Sequence, residues 1–144
     1  MKHLIILLLL LVSTSVFGQK EKQSFVELNV GVAAIDGYEF KHSTFPGCSF
    51  LFGQTYLSGN LVAEWQAGLA LPTVLTGKVF FGGGDLDHNF GIGIRPWPLF
   101  IGPQAKLGRL TLSFEVGFDN ELSFDAGLIA TIGYRWFFKN LENN

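Results

Sequence analysis

The sequence predicts an all-β chain, folded as a single closed antiparallel up-and-down barrel of about eight strands. Three observations predict it. Apolar and polar residues alternate with period two in one segment after another, the pattern of strands that show a different environment to each face. Turn residues interrupt the alternation every 8 to 14 positions, which leaves room for hairpins but not for helical crossovers. Charge is also scarce: Asp, Glu, Lys and Arg make up 15% of the chain, against ~25% in ordinary soluble domains.

The N-terminus sets the compartment. Met1-Lys2-His3 carries one positive charge, Leu4 to Val12 is an unbroken apolar run, and small residues follow through Ser13-Thr14-Ser15 to Gly18. That order is a secretory signal peptide, residues 1–18, with cleavage expected after Gly18. The apolar run is far shorter than the ~20 residues a spanning helix needs. Residues 19–144 then form one domain; Lys2 leaves with the signal, so 9 of the 10 basic residues face 12 acidic ones, a net charge of −3. This charge gives no footprint for nucleic acid. Cys48 is the only cysteine, so neither an internal disulfide nor a cysteine-based zinc site is expected.

The strands are expected in this order. Val26, Leu28, Val30 and Val32 oppose Glu27, Asn29 and Gly31. Residues 49–57 place Phe50, Phe52 and Tyr56 on one face, with Leu51 and Leu57 blurring the contrast. In 61–70, Leu61, Ala63, Trp65, Ala67 and Leu69 oppose Glu64, Gln66, Gly68 and Ala70. Residues 74–81 are short; 88–95 alternate well; 99–107 contain Pro103, which cannot donate to a ladder and predicts a bulge or irregular stretch. Residues 109–118 alternate without a break, and in 124–138 the even-numbered residues Leu128, Ile132, Tyr134, Trp136 and Phe138 share one face. Ser58-Gly59-Asn60, Gly82-Gly83-Gly84, Gly108-Arg109 and Asp119-Asn120 are turn chemistry. Leu71-Pro72-Thr73 and Pro96-Trp97-Pro98 are stiffer corners, and Asp36 to Gly47 is the one long link.

The polarity of the two faces decides which side is wet. The polar face is mostly Gly, Ser, Thr, Ala and Gln, a poor coat against water but a good filling for a narrow barrel. The apolar face carries no charge on the clearest strands, as a transmembrane barrel requires where it meets lipid. The polar face also carries Glu27, Glu64, Glu115 and Asp125 against Lys78, Arg95, Lys106 and Arg135. Four acids and four bases are expected to meet inside as a structural ion-paired network, because buried charges must be paired. Tyr56, Trp97, Tyr134, Trp136 and Phe138 fall where interfacial belts would lie, whereas Trp65 sits in mid-strand.

The end of the chain carries a recognisable pattern. Thr131-Ile132-Gly133-Tyr134-Arg135-Trp136-Phe137-Phe138 resembles the terminal-strand signal by which bacterial barrel-assembly machinery recognises its clients, with Thr131, Gly133, Trp136 and Phe138 in its four places. With the signal peptide and the eight alternating segments, the chain resembles the small eight-stranded bacterial outer-membrane barrels of the OmpA transmembrane-domain and OmpX type. The resemblance implies residence in the outer membrane, with its lipid and the assembly machinery as partners, and a side-chain-filled interior rather than a wide pore.

For function, the link Asp36–Gly47 is the expected contact surface, through Tyr38, Glu39, Lys41, His42 and Phe45. His42, Ser43 and Glu39 share that link, but neighbours in sequence rarely reach nucleophile–base geometry, and no oxyanion donors are apparent. Gly82-Gly83-Gly84-Asp85-Leu86-Asp87-His88 departs from the glycine–aspartate calcium repeat at Asp85 and occurs once. No catalytic residue, metal site or cofactor is expected. The expected function is that of a non-enzymatic envelope-structural or contact-mediating barrel; the alternative is a secreted soluble barrel that binds a small apolar ligand, as lipocalins do.

Overall fold

The computed structural model describes residues 21–35, 44–71, 74–96, 99–117 and 127–138, without the side chains of Ile35 and Phe45. Residues 1–18, the expected signal peptide, residues 36–43, Trp97, Asp119-Asn120 and Asp125 lie outside the described residues. Eight strands follow one another: β1 (Glu21–Ile35), β2 (Thr44–Ser58), β3 (Leu61–Leu71), β4 (Val74–Gly84), β5 (His88–Pro96), β6 (Leu99–Leu107), β7 (Leu110–Gly117) and β8 (Gly127–Phe137). Each pairs antiparallel with its neighbours in sequence, and β8 returns to β1, so the sheet is a closed barrel.

The registers fix its shape. One circuit runs Glu21↔Leu57, Leu57↔Val62, Val62↔Gly82, Gly82↔Gly91, Gly91↔Gln104, Gln104↔Ser113, Ser113↔Thr131 and Thr131↔Gly31. It returns to β1 ten residues beyond its start, the step from Glu21 to Gly31. With ~3.3 Å per residue and ~4.8 Å between strands, that stagger tilts the strands by roughly 40° and sets a backbone radius of about 8 Å. Such a barrel is filled by its own side chains. Glu21, the end of β8 and the turns 59–60, 85–87 and 108–109 lie at one end, the lower end.

Alternation sorts the residues. Phe25, Leu51, Val62, Phe80 and Phe100 point inward together with Glu27, Thr55, Glu64, Gln66, Lys78, Gln104, Lys106, Glu115 and Arg135. Leu28, Val30, Phe50, Phe52, Leu69, Phe81, Phe90, Ile92, Leu112, Phe114 and Ile132 lie exposed on the outer wall. Leu51, which blurs the pattern in sequence, is an inward residue. Space for the large inward groups comes from inward glycines. A Cβ on Gly53 would strike the Phe25 ring, and one on Gly117 the Phe100 ring.

Four expectations need correction. The link expected from Asp36 to Gly47 is shorter, because β2 begins at Thr44 and pairs with β1 from Ala34↔Thr44 through Gly31↔Gly47. Phe45 therefore lies in a strand opposite Ala33, not in a loop. Pro46 is tolerated there because β3 joins β2 only from Cys48↔Leu71, leaving an open side where no donor is needed. Gly82-Gly83-Gly84 is not a turn but the end of β4, paired with Val62, Leu61 and β5. The turn is Asp85–Asp87, where the Asp85 carboxylate accepts from the Asp87 and His88 backbone N–H groups at 2.8 and 2.6 Å. That side-chain mimic of a backbone turn outcompetes the glycines.

Pro103 produces no bulge. Ile101↔Val116 and Gln104↔Ser113 keep one register, while residues 102 and 103 drop out of the β6–β7 pairing and Pro103 stays aligned with Ile92 on β5. The Phe114 carbonyl points at β6 beside Gly102, where Pro103 has no N–H to offer. The tight hairpins at Gly59-Asn60 and Gly108-Arg109 form as expected. Gly59 and Gly108 take φ of 61° and 62° at the first turn position, which other residues resist.

Candidate functional site

The chemistry of this molecule is concentrated in its interior, where charges meet in two clusters. In the lower one, β8 delivers Arg135 beside Glu27 of β1, its direct cross-strand partner. Arg135 pairs with Glu27 through Nε and reaches across the lumen to Glu64 of β3, donating from both terminal nitrogens at 2.6 and 2.7 Å. This two-point fork is the strongest geometry available to a guanidinium. The remaining lone pairs are used: Thr55 and Gln66 donate to Glu64 at 2.7 and 2.6 Å, and Thr111 donates to Glu27 at 3.1 Å. The guanidinium also covers the Phe25 ring at 4.1 Å.

In the upper cluster one carboxylate serves two cations. Glu115 of β7 meets Lys78 of β4 at 2.6 Å and Arg95 Nε of β5 at 2.9 Å. Arg95 also donates to Thr76, and Ser113 donates to Glu115 at 3.3 Å while lying 2.7 Å from Thr131. Lys106 stands apart: it donates to the Leu86 carbonyl of the β4–β5 turn and lies over the Phe137 ring at 4.7 Å. Of the eight charged residues singled out in the sequence, Asp125 lies outside the described residues, the other seven are buried, and six of those join ion pairs.

Sequence reasoning missed the hydroxyls and amides that complete these clusters, although Thr55, Thr111 and Ser113 share the inward parity of the charges beside them. It also missed Gln104, which is 1% exposed and has no hydrogen-bond partner at either amide atom. The signal was present, because Gln104 alternates inward with Phe100 and Lys106.

The outer wall is the complement. Among the described residues, every exposed Asp, Glu, Lys or Arg lies at the lower end: Glu21, Lys22, Asp85, Asp87 and Arg109. Between that rim and the upper links, the exposed side chains of the wall are uncharged. Aromatic rings gather near the charged rim. Lys22 lies over Tyr56 at 6.0 Å, Arg109 donates to the Tyr134 hydroxyl at 3.2 Å, and Tyr134 meets Trp136 edge-on at 4.9 Å. Trp65 faces outward and meets Phe52 edge-on at 5.8 Å. At the rim, the two backbone N–H groups that bind the Asp85 carboxylate hold its pKa below the usual value.

Thr131 and Gly133 face inward, with Gly133 against the Asn29 side chain, whereas Trp136 and Phe138 are exposed on the wall. Tyr38, Glu39, Lys41 and His42 lie outside the described residues. His88 Nδ1 comes within 3.8 Å of the Asp85 carboxylate, but among the described residues no group of three or more His, Cys, Asp and Glu side chains is placed to hold a metal ion. No family model matches the chain, and no curated protein or solved structure matches it significantly.

Proposed function

We propose that the chain is a non-enzymatic integral barrel of a bacterial outer membrane, which serves envelope structure or makes contacts through the link between β1 and β2. The observation that carries this reading is the inversion of polarity: buried charges paired inside, and a wall of Leu, Val, Ile and Phe outside. In water such a continuous apolar surface would drive association; in lipid it is the stable arrangement. Strand length supports the same reading. A strand of 11 residues, such as β3, β4 or β8, tilted by roughly 40° rises about 28 Å, close to the ~25 Å apolar band of outer-membrane barrels.

The signal peptide and the terminal-strand pattern support export and assembly into that membrane. The filled interior argues against a wide pore, since Arg135, Phe25, Phe80 and Phe100 occupy the space a channel would need. A soluble barrel that binds an apolar ligand would turn Leu112, Phe114 and Trp65 inward around a cavity, whereas all three lie on the outer wall. In this reading Tyr38, Glu39, Lys41 and His42 supply the contacts.

The test is fractionation of cells that express the full chain, followed by gel electrophoresis of boiled and unboiled samples. The protein is expected in the outer-membrane fraction with a faster band when unboiled. Recovery from the periplasm with one heat-independent band would contradict the proposal.

A further inference from the structure

β4 outruns its pairing with β5. The ladder between them ends at Val79↔Ile94, although β4 climbs on to Val74 and β5 to Pro96. Along β4 and its turn, odd-numbered residues direct their backbone groups toward β5. The Asp85 N–H bonds to the His88 carbonyl at 2.8 Å, whereas the Gly84 N–H bonds to Asn60 on the other side at 3.0 Å. Gly77 follows Val79 in that odd series. The same register brings it opposite Pro96, which has no N–H for the Gly77 carbonyl. Inside the barrel, Arg95 donates to Thr76 and so keeps the two strands together at this seam. In lipid a backbone carbonyl without a donor is costly, because no water replaces the lost bond.

The outer surface beside the seam is low. A Cβ on Gly77 would meet only the Gln66 carbonyl, at 3.4 Å. Gly77 pairs with Ala67, and Ala67 with Phe52. The pair Trp65↔Val79 borders this row from below and Leu69↔Leu75 from above. The row is a trench about 14 Å long, three strand spacings from Pro96 to Phe52. The circuit of partners climbs ten residues on its way round to β1, so the trench slopes down from the seam toward the middle of the wall. A polar end above and an apolar run below is the sense of a lipid in the leaflet at the upper end.

We propose that the trench binds one acyl chain of a membrane lipid with an N–H or O–H donor at the root of that chain, as amide-linked and hydroxyacyl lipids have, and that this donor bonds to the Gly77 carbonyl where Pro96 leaves it bare. The chain lies over Gly77 and Ala67 and ends against the Phe52 and Trp65 rings, which meet edge-on at 5.8 Å. A lipid with ester links alone fills the trench but leaves the carbonyl unpaired. The inference rests on the reading that the wall meets lipid.

The test uses sphingomyelin and phosphatidylcholine, which share a headgroup; only sphingomyelin has an amide N–H and a hydroxyl at the chain root. The full chain with Trp97→Phe and Trp136→Phe is placed in phosphatidylcholine vesicles that hold a small, equal fraction of either lipid with brominated chains. Quenching of Trp65 is expected to show a preference of about fivefold for sphingomyelin, the worth of one hydrogen bond. Pro96→Ala returns the ladder donor to Gly77 and is expected to make the two lipids equal. Gly77→Leu, which fills the trench, is expected to do the same. Equal quenching by the two lipids in the parent chain, or a preference that survives both substitutions, would overturn the site and leave the lipid-facing wall standing. Quenching by neither lipid would overturn both.

Discussion

Arg135 and Glu64 lie 71 positions apart in sequence and form a two-point contact across the barrel interior, at 2.6 and 2.7 Å. β8 and β3 are not neighbours, so this contact ties opposite walls together in addition to the ladder hydrogen bonds. Because Glu27 shares the same guanidinium, removal of one side chain strands two carboxylates. Arg135→Met is therefore expected to destabilise the barrel by about 3–5 kcal/mol. Equilibrium unfolding in urea measures it; a loss below about 1 kcal/mol would mean that the lower cluster is solvated rather than structural.

The two clusters share no hydrogen-bond partner among the described residues, and this independence is measurable. A double-mutant cycle of Arg135→Met with Glu64→Leu is expected to give a coupling of roughly 0.5–3 kcal/mol, and one of Arg135→Met with Glu115→Leu less than about 0.5 kcal/mol. Equal couplings in both cycles would show one continuous network instead. Charge reversal at Glu115 would put three cations together and is expected to abolish folding.

Pro103 removes one ladder donor opposite the Phe114 carbonyl without shifting the register. Pro103→Ala restores the N–H and is expected to raise stability by about 1 kcal/mol. Amide exchange of the new N–H should be slow. A fast-exchanging amide with unchanged stability would show that the carbonyl already has another donor.

The β4–β5 turn depends on ionised Asp85. Its pKa is lowered by the His88 and Asp87 N–H groups, so its contribution is present above the unfolded carboxylate pKa and is lost as pH falls through the lower folded value. NMR shifts of the Asp87 and His88 amides are expected to titrate below the ordinary aspartate range, and Asp85→Ala to abolish that titration. Amide shifts that follow a normal aspartate midpoint would contradict the bond pattern at 2.8 and 2.6 Å.

The fold was legible because wall and interior demand different residue types, and alternation such as Leu110, Leu112 and Phe114 against Thr111, Ser113 and Glu115 reports that demand directly. The inward placement of Lys78, Arg95 and Arg135 followed from the same parity. Pairing was not legible. β2 runs on through Thr44–Gly47 because β1 offers partners there, which no local pattern announces. Gly82 to Gly84 misled because glycine marks both turns and close inner packing; in Gly82 a Cβ would strike the Phe80 ring. The division of charges into two clusters depends on how far round the barrel each strand falls, a property of the ten-residue stagger rather than of any segment.

Position on the wall should set the cost of a charge. Leu112, between Ala105 and Ile132, lies far from both ends of the barrel, whereas Leu61 follows the rim turn at Gly59-Asn60. In bilayers, Leu112→Arg is expected to cost about 2–4 kcal/mol and Leu61→Arg about 0–1 kcal/mol. Equal small costs would mean that the wall faces water.

Contact between the outer wall and lipid is read best at Trp65, because its indole is exposed there beside Phe52. In a Trp97→Phe, Trp136→Phe background, Trp65 fluorescence is measured in vesicles with brominated acyl chains and again with aqueous iodide. Strong quenching by the brominated lipid and little by iodide are expected. Quenching by iodide with none from the lipid would contradict that contact.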